Sequence, residues 1–166
     1  ERTRSSSTRR ATARAAAAGS AASVAGCTVT TTTGARSSSP RAASSSSLYL
    51  YLQSAGEVFL DDLQLVAGGV AETGPNLLAN GDFESTLSGP WVVSPNHAAS
   101  VLSADVKHSG NASLHLVAAS GGSTRDSSVY QDLSPALVPG SSYTLSFWYR
   151  QNTNGGPLTL RLSGSG

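Results

Sequence analysis

Tyr143-Thr144-Leu145-Ser146-Phe147-Trp148-Tyr149-Arg150 is the stretch that decides the fold class. Tyr143, Leu145, Phe147 and Tyr149 share one face at period 2, and Thr144, Ser146, Trp148 and Arg150 share the other. That alternation belongs to a half-buried strand. Downstream, residues 152–157 form a turn. Leu158-Thr159-Leu160-Arg161-Leu162 follows with its three leucines on one side. Upstream, residues 91–93, 100–103, 113–117 and 128–133 are short strands, with Leu114 and Leu116 sharing a face. Asn80-Gly81-Asp82, Ser109-Gly110-Asn111, residues 120–124 and Pro139-Gly140 supply the turns between them. Two further strands lie earlier. Leu48-Tyr49-Leu50-Tyr51-Leu52 has two faces that can both be apolar. In residues 57–66, strict alternation sends Val58, Leu60, Asp62 and Gln64 one way and Phe59, Asp61, Leu63 and Leu65 the other. Ser54-Ala55-Gly56 joins them as a hairpin turn. No segment after Ser44 has a helical period. Short strands at regular spacing between Gly, Pro, Asn and Ser turns predict an all-β sandwich.

The composition bounds the function. The chain has 166 residues, enough for about one domain, and a formal net charge of +1. No run approaches the roughly 18 apolar residues of a spanning helix, so no transmembrane segment is expected. A single Cys excludes a disulfide framework and a cysteine-based zinc site. The near-neutral total conceals two unlike polymers. Residues 1–41 carry seven arginines against Glu1 alone, while residues 42–166 carry four basic residues against nine acidic ones.

Residues 1–43 are almost entirely Arg, Ser, Thr, Ala and Gly. They hold too little apolar surface to offset ordering costs of about 1–2 kcal/mol per residue, so disorder is expected, with transient helix over residues 11–18. The arginines are scattered and no aromatics interleave them, so no nucleic acid partner is expected. Arg9-Arg10, the small residues 15–25 and Val24-Ala25-Gly26-Cys27 also look like an export signal with Cys27 as a lipidated residue. The composition equally fits a GC-rich coding region translated out of frame.

Four words occur in a fixed order: Asn76-Leu77-Leu78-Ala79-Asn80-Gly81-Asp82-Phe83-Glu84, Ser109-Gly110-Asn111-Ala112-Ser113-Leu114, Val129-Tyr130-Gln131-Asp132-Leu133, and Pro139-Gly140-Ser141-Ser142-Tyr143 running on to Trp148. Together they resemble the CenC-like carbohydrate-binding modules (families 4, 9 and 22), which are galactose-binding-like jelly rolls. The resemblance covers residues 76–166, and residues 44–66 resemble the last two strands of the same kind of module, where Asp61-Asp62 stands. The chain is therefore expected to hold the last hairpin of a preceding module (44–66), a linker (67–75) and a module lacking its own last strand (76–166), as a piece of a tandem array. Residues 48–66 are expected to fold back across the linker and fill the vacant strand positions. The intermolecular version of that exchange would give a strand-exchanged dimer.

The resemblance implies a noncatalytic module of a larger secreted bacterial protein, extracellular or at the cell surface, whose partner is a polysaccharide or other glycan. Trp148, Trp91 and Tyr130 are the candidate stacking surfaces, and Arg150 and Gln131 the candidate hydrogen-bonding groups. It also implies a structural Ca²⁺, with Glu84 and Asp62 as ligands and backbone oxygen from Gly81 or Asp82; calcium favours such oxygen donors. Catalysis finds no footing. His97, His108 and His115 are isolated, no HxxxH, GxSxG or phosphate loop occurs, and adjacent Asp61 and Asp62 should face opposite sides of a strand. A structural or adhesion spacer without sugar binding, and a gene fragment without independent function, are the alternative readings.

Overall fold

The structure is a computed structural model that describes residues 23–30, 45–138, 141–152 and 154–165. It is an all-β jelly-roll sandwich. The strands are β1 (Ser23–Thr30), β2 (Ser45–Leu52), β3 (Gly56–Ala67), β4 (Val92–Val93), β5 (Val101–Ser103), β6 (Ser113–Ala118), β7 (Val129–Leu133), β8 (Ser142–Gln151) and β9 (Leu158–Ser165). One sheet, here sheet A, has the order β1-β8-β3-β6-β5, and the other, sheet B, has the order β4-β7-β2-β9. All the strand pairs are antiparallel. β1 lies within the stretch expected to be disordered and runs along the outer edge of β8. The rest of residues 1–43, with the export-signal arginines, lies outside the described residues, as does the Pro139-Gly140 turn.

The period-2 reading of the apolar residues places the core. Leu145 and Phe147 of β8, Leu114 and Leu116 of β6, Val129 of β7 and Leu160 of β9 point inward and are nearly inaccessible. Leu48, Leu50 and Leu52 of β2 join them at 0% exposure, which leaves Tyr49 and Tyr51 on the outer side.

β2 and β3 do not form the hairpin expected of residues 48–66. The turn at residues 53–55 carries the chain across the sandwich, so β2 enters sheet B between β7 and β9 while β3 enters sheet A between β8 and β6. Each strand thus occupies an interior position of a different sheet. The fold-back itself is present. Beyond the linker, Leu77 N donates to Leu65 O at 2.8 Å and Leu63 N donates to Gly81 O at 2.8 Å. The Asn76 side chain closes the same seam by accepting from Leu65 N and donating to Leu63 O. Gly81 is required at this approach, since a Cβ there would sit 2.1 Å from Leu63 O.

Strict alternation fails at one place in β3. Asp61 pairs with Trp148, but the next partner pair is Gln64 with Ser146, so three steps on β3 match two on β8. The extra residue is a β-bulge, and Asp62 absorbs it with φ at +49°. Side-chain parity flips there. Val58 and Leu60 point inward before the bulge, and Leu63 and Leu65 point inward after it. Leu63 and Leu65 therefore enter the core instead of the face shared with Phe59.

His97 sits at the end of a short 3-10 turn (Pro95–His97) and is fully buried. Its Nδ1 lies 2.8 Å from Val117 O, and Nε2 has no hydrogen-bond partner among the described residues. Burial pushes its pKa below the ordinary histidine value. The neutral ring therefore contributes fully above the unfolded value of about 6.5, and that contribution is lost as pH falls from there through the lowered native value. Urea melts at pH 7.5 and pH 5 should show lower stability at pH 5. His97→Leu should flatten that difference; an unchanged pH slope in the variant would remove His97 as its source.

Candidate functional site

The two outer faces of the sandwich carry different side chains, and the five residues expected to bind sugar divide among three places. Trp148 and Arg150 lie on the outer face of sheet A, and Tyr130 lies on that of sheet B. Gln131 and Trp91 are inside.

Trp91 is 3% exposed and packs against Phe83, with ring centroids 5.7 Å apart. Its indole Nε1 donates to Asn80 O at 3.0 Å, which satisfies its one polar atom. Gln131 is 5% exposed, and its amide is occupied by one backbone unit: Oε1 accepts from Ala79 N at 2.8 Å and Nε2 donates to Ala79 O at 2.9 Å. Both residues hold the segment after Asn76 against the core. Neither presents a surface to a ligand in this fold, unlike the contact role expected of them.

Sheet B's outer face is built by alternation on three neighbouring strands. β2 supplies Ser47, Tyr49 and Tyr51, β7 supplies Tyr130 and Asp132, and β9 supplies Thr159 and Arg161. Tyr49 and Tyr130 are register partners, with rings edge to face and centroids 6.2 Å apart. Arg125, in a short 3-10 turn (Arg125–Ser127), reaches over Tyr130 with its guanidinium carbon 4.0 Å from the ring centroid. Asp132 grips that guanidinium with both oxygens, at 2.8 and 2.7 Å, and accepts from Ser47 Oγ at 2.5 Å. The Arg125 bonds, and then Ser47, hold the Asp132 carboxyl below its ordinary value. Arg161 stands 5.8 Å from the Tyr49 ring, and Gln53 Nε2 donates to Thr159 Oγ1. Tyr51 is covered at the strand end, where Gly122 lies against its Cβ and Gly122 N donates to Leu52 O. The face thus offers two half-exposed aromatic rings, two arginines and a carboxylate, fixed in place by one another. Sequence reasoning missed Tyr49, Arg125 and Arg161. The Leu/Tyr alternation was the available signal, because Leu48 and Leu50 on the inner face place Tyr49 outward.

The outer face of sheet A carries a cleft of about 390 Å³ lined by residues of β3, β8 and the 105–108 loop. The bulge forms its floor. Asp61, 3% exposed, accepts from Asp62 N, His108 N and Ser109 N at 2.8, 2.7 and 3.1 Å. Asp62 accepts from His108 Nδ1 at 2.6 Å and from Ser109 Oγ at 2.8 Å. The two neighbouring aspartates thus converge on one loop, against the expectation of opposite faces, and the bulge is the reason. His108 is laid flat on Trp148, with centroids 3.5 Å apart at 14°. Beside them, Phe59 stacks on His115, whose Nε2 lies 2.7 Å from Glu57.

Of the residues expected around calcium, Glu84 grips the far side of the same loop. It accepts from Asn111 N, Ala112 N and Asn111 Nδ2 at 2.7, 3.0 and 2.8 Å. These bonds, the Ala112 amide first, lower its pKa. Gly81 O takes the Leu63 amide, and Asp82 is exposed. Among the described residues, no three His, Cys, Asp or Glu side chains gather to hold a metal ion. No helix among them is long and apolar enough to cross a membrane.

A family model described as a carbohydrate binding domain matches residues 75–163, which is more than half of the chain. No curated protein and no solved structure matches it.

Proposed function

The chain belongs to the carbohydrate-binding domain family (families 4 and 9), and from that premise we propose that it binds a glycan noncatalytically on the outer face of sheet B. The observation that carries this reading is the Tyr49–Tyr130 pair on directly hydrogen-bonded strands, framed by the clamped Arg125–Asp132 pair and by Arg161. Sugar rings present C–H faces and many hydroxyls. Aromatic rings receive the first, and planar groups with several donors or acceptors receive the second. Arg125 uses two of its five N–H donors on Asp132, which leaves donor capacity on the guanidinium for ring hydroxyls. The groups hold one another, which lowers the ordering cost of binding.

A screen against neutral oligosaccharides, followed by calorimetry on the best ligand, tests this. Tyr130→Ala and Arg161→Ala should each weaken binding about tenfold or more, through lost contact and lost hydrogen bonds. Trp148→Ala should retain it. Retention in both sheet B variants would overturn the assignment, and the absence of any ligand would favour the structural or adhesion spacer.

The order of the strands supports reading residues 44–66 as contributed by a preceding module of a tandem array, in a protein exported to the cell surface or beyond it. Calcium belongs to the same proposal. Glu84 and Asp62 would hold it with carbonyl oxygen from Gly81 or Asp82, tying the 108–112 loop to the start of the module. Millimolar calcium should then raise the melting temperature relative to chelator. Equal melts in the two conditions would remove the metal.

A further inference from the structure

We propose that the sheet A cleft is a second subsite, on the opposite side of the sandwich, that takes a sugar bearing a carboxylate. It does not depend on the sheet B reading. The cleft's volume of about 390 Å³ lies in the range of small-ligand sites, about 300–1,000 Å³. Its walls are aromatic: Trp148 on β8 and Phe59 on β3, each already backed by a histidine ring.

The charged groups decide the ligand class. Asp61 lines the cleft but is committed to three backbone amides. Behind it, Asp62 is committed to His108 and Ser109. Lys107 Nζ donates to Ala104 O at 2.6 Å, which leaves two of its three donors. Arg150 is exposed on the cleft wall, and its guanidinium donates to no described residue. Asp105 stands on the rim as an acceptor for ring hydroxyls. The uncommitted donor capacity in the lining is thus a planar cationic fork two residues from the indole on β8 and an ammonium on the 105–108 loop, with the Asp105 carboxylate as an acceptor in the same lining. A guanidinium fork matches a carboxylate bidentately, so a uronic acid ring fits better than a neutral ring. A sulfate ester shares the charge but not the planar match.

The test uses the full chain and three probes of equal length: a trigalacturonate, a sulfated neutral trisaccharide and the unmodified trisaccharide, followed by calorimetry and by Trp fluorescence. The trigalacturonate should bind at least about tenfold more tightly than the other two and weaken as salt rises. Arg150→Gln should lose that preference, while Tyr130→Ala should keep it. Arg150 is exposed, so its variant should melt with the parent. Three results would each overturn the inference: no trigalacturonate binding by the parent, equal binding by Arg150→Gln, or loss of binding only in Tyr130→Ala. Loss of neutral-sugar binding in Tyr130→Ala would leave the sheet B reading standing in every one of these cases.

Discussion

A chain that begins at Asn76, without β2 and β3, should not fold. The shortened chain also lacks the edge strand β1, so without β3 the strand β8 has no partner in sheet A, and β6 and β5 are left as a two-stranded ribbon of the kind that is marginal alone in water. Without β2, β9 has no hydrogen-bonded neighbour and β7 keeps only the two-residue β4. The apolar loss is as large. Leu48, Leu50, Leu52, Val58, Leu60, Leu63 and Leu65 are all at 0–1% exposure. At roughly 2 kcal/mol each, their burial matches the whole stability of a typical domain, about 5–15 kcal/mol. Circular dichroism and a thermal melt check this: the shortened chain should show no cooperative transition, and adding residues 45–67 as a separate peptide should restore one. A cooperative melt of the shortened chain near that of the parent would show that the remaining strands close on themselves.

That dependence was legible from the residues. The apolar positions of β6, β8 and β9 alternate without interruption, so simple period 2 names their inner faces, and the two apolar strands before the linker need a sheet to enter. Two features were not legible. The bulge at Asp61–Asp62 leaves no compositional mark, because Asp62 takes positive φ without a glycine to announce it. One inserted residue reverses the face of everything that follows, so Leu63 and Leu65 were assigned to the wrong side. The sites of Trp91 and Gln131 were hidden for a different reason. An indole and an amide are the side chains that ligand sites use, and they are also those that can satisfy a buried backbone unit. Only the position of Ala79 and Asn80 across the core separates the two uses. Tyr49 illustrates the converse. Its exposure follows from its leucine neighbours, but its value as a platform depends on Tyr130 and on Arg125, which reaches over the partner ring; Tyr130 is 81 residues away in sequence.

Asp61→Asn should destabilise the chain by about 3 kcal/mol, a large effect for a change that conserves shape. The carboxylate is almost fully buried and receives three amide hydrogens, one on Oδ1 and two on Oδ2. An asparagine must turn its NH₂ toward at least one of those amides. Either rotamer leaves one or two part-buried N–H groups facing a donor across a buried side chain, and an unsatisfied group costs about 1–3 kcal/mol when fully buried. The remaining bonds also lose the assistance of the charge. The damage should extend from the bulge to the cleft. The amides of His108 and Ser109 are what Asp61 holds, and His108 lies on Trp148 only while that loop is seated. Urea denaturation should therefore show a lower midpoint, and Trp148 should be quenched more readily by an external quencher. Trp91, at 3% exposure and bonded to Asn80 O, should remain protected below the transition. A midpoint shift worth less than about 1 kcal/mol, the typical cost of any point substitution, would mean that the loop is held by Glu84 and Asp62 alone. The bulge would then be a consequence of the strand pairing instead of the feature that anchors the cleft.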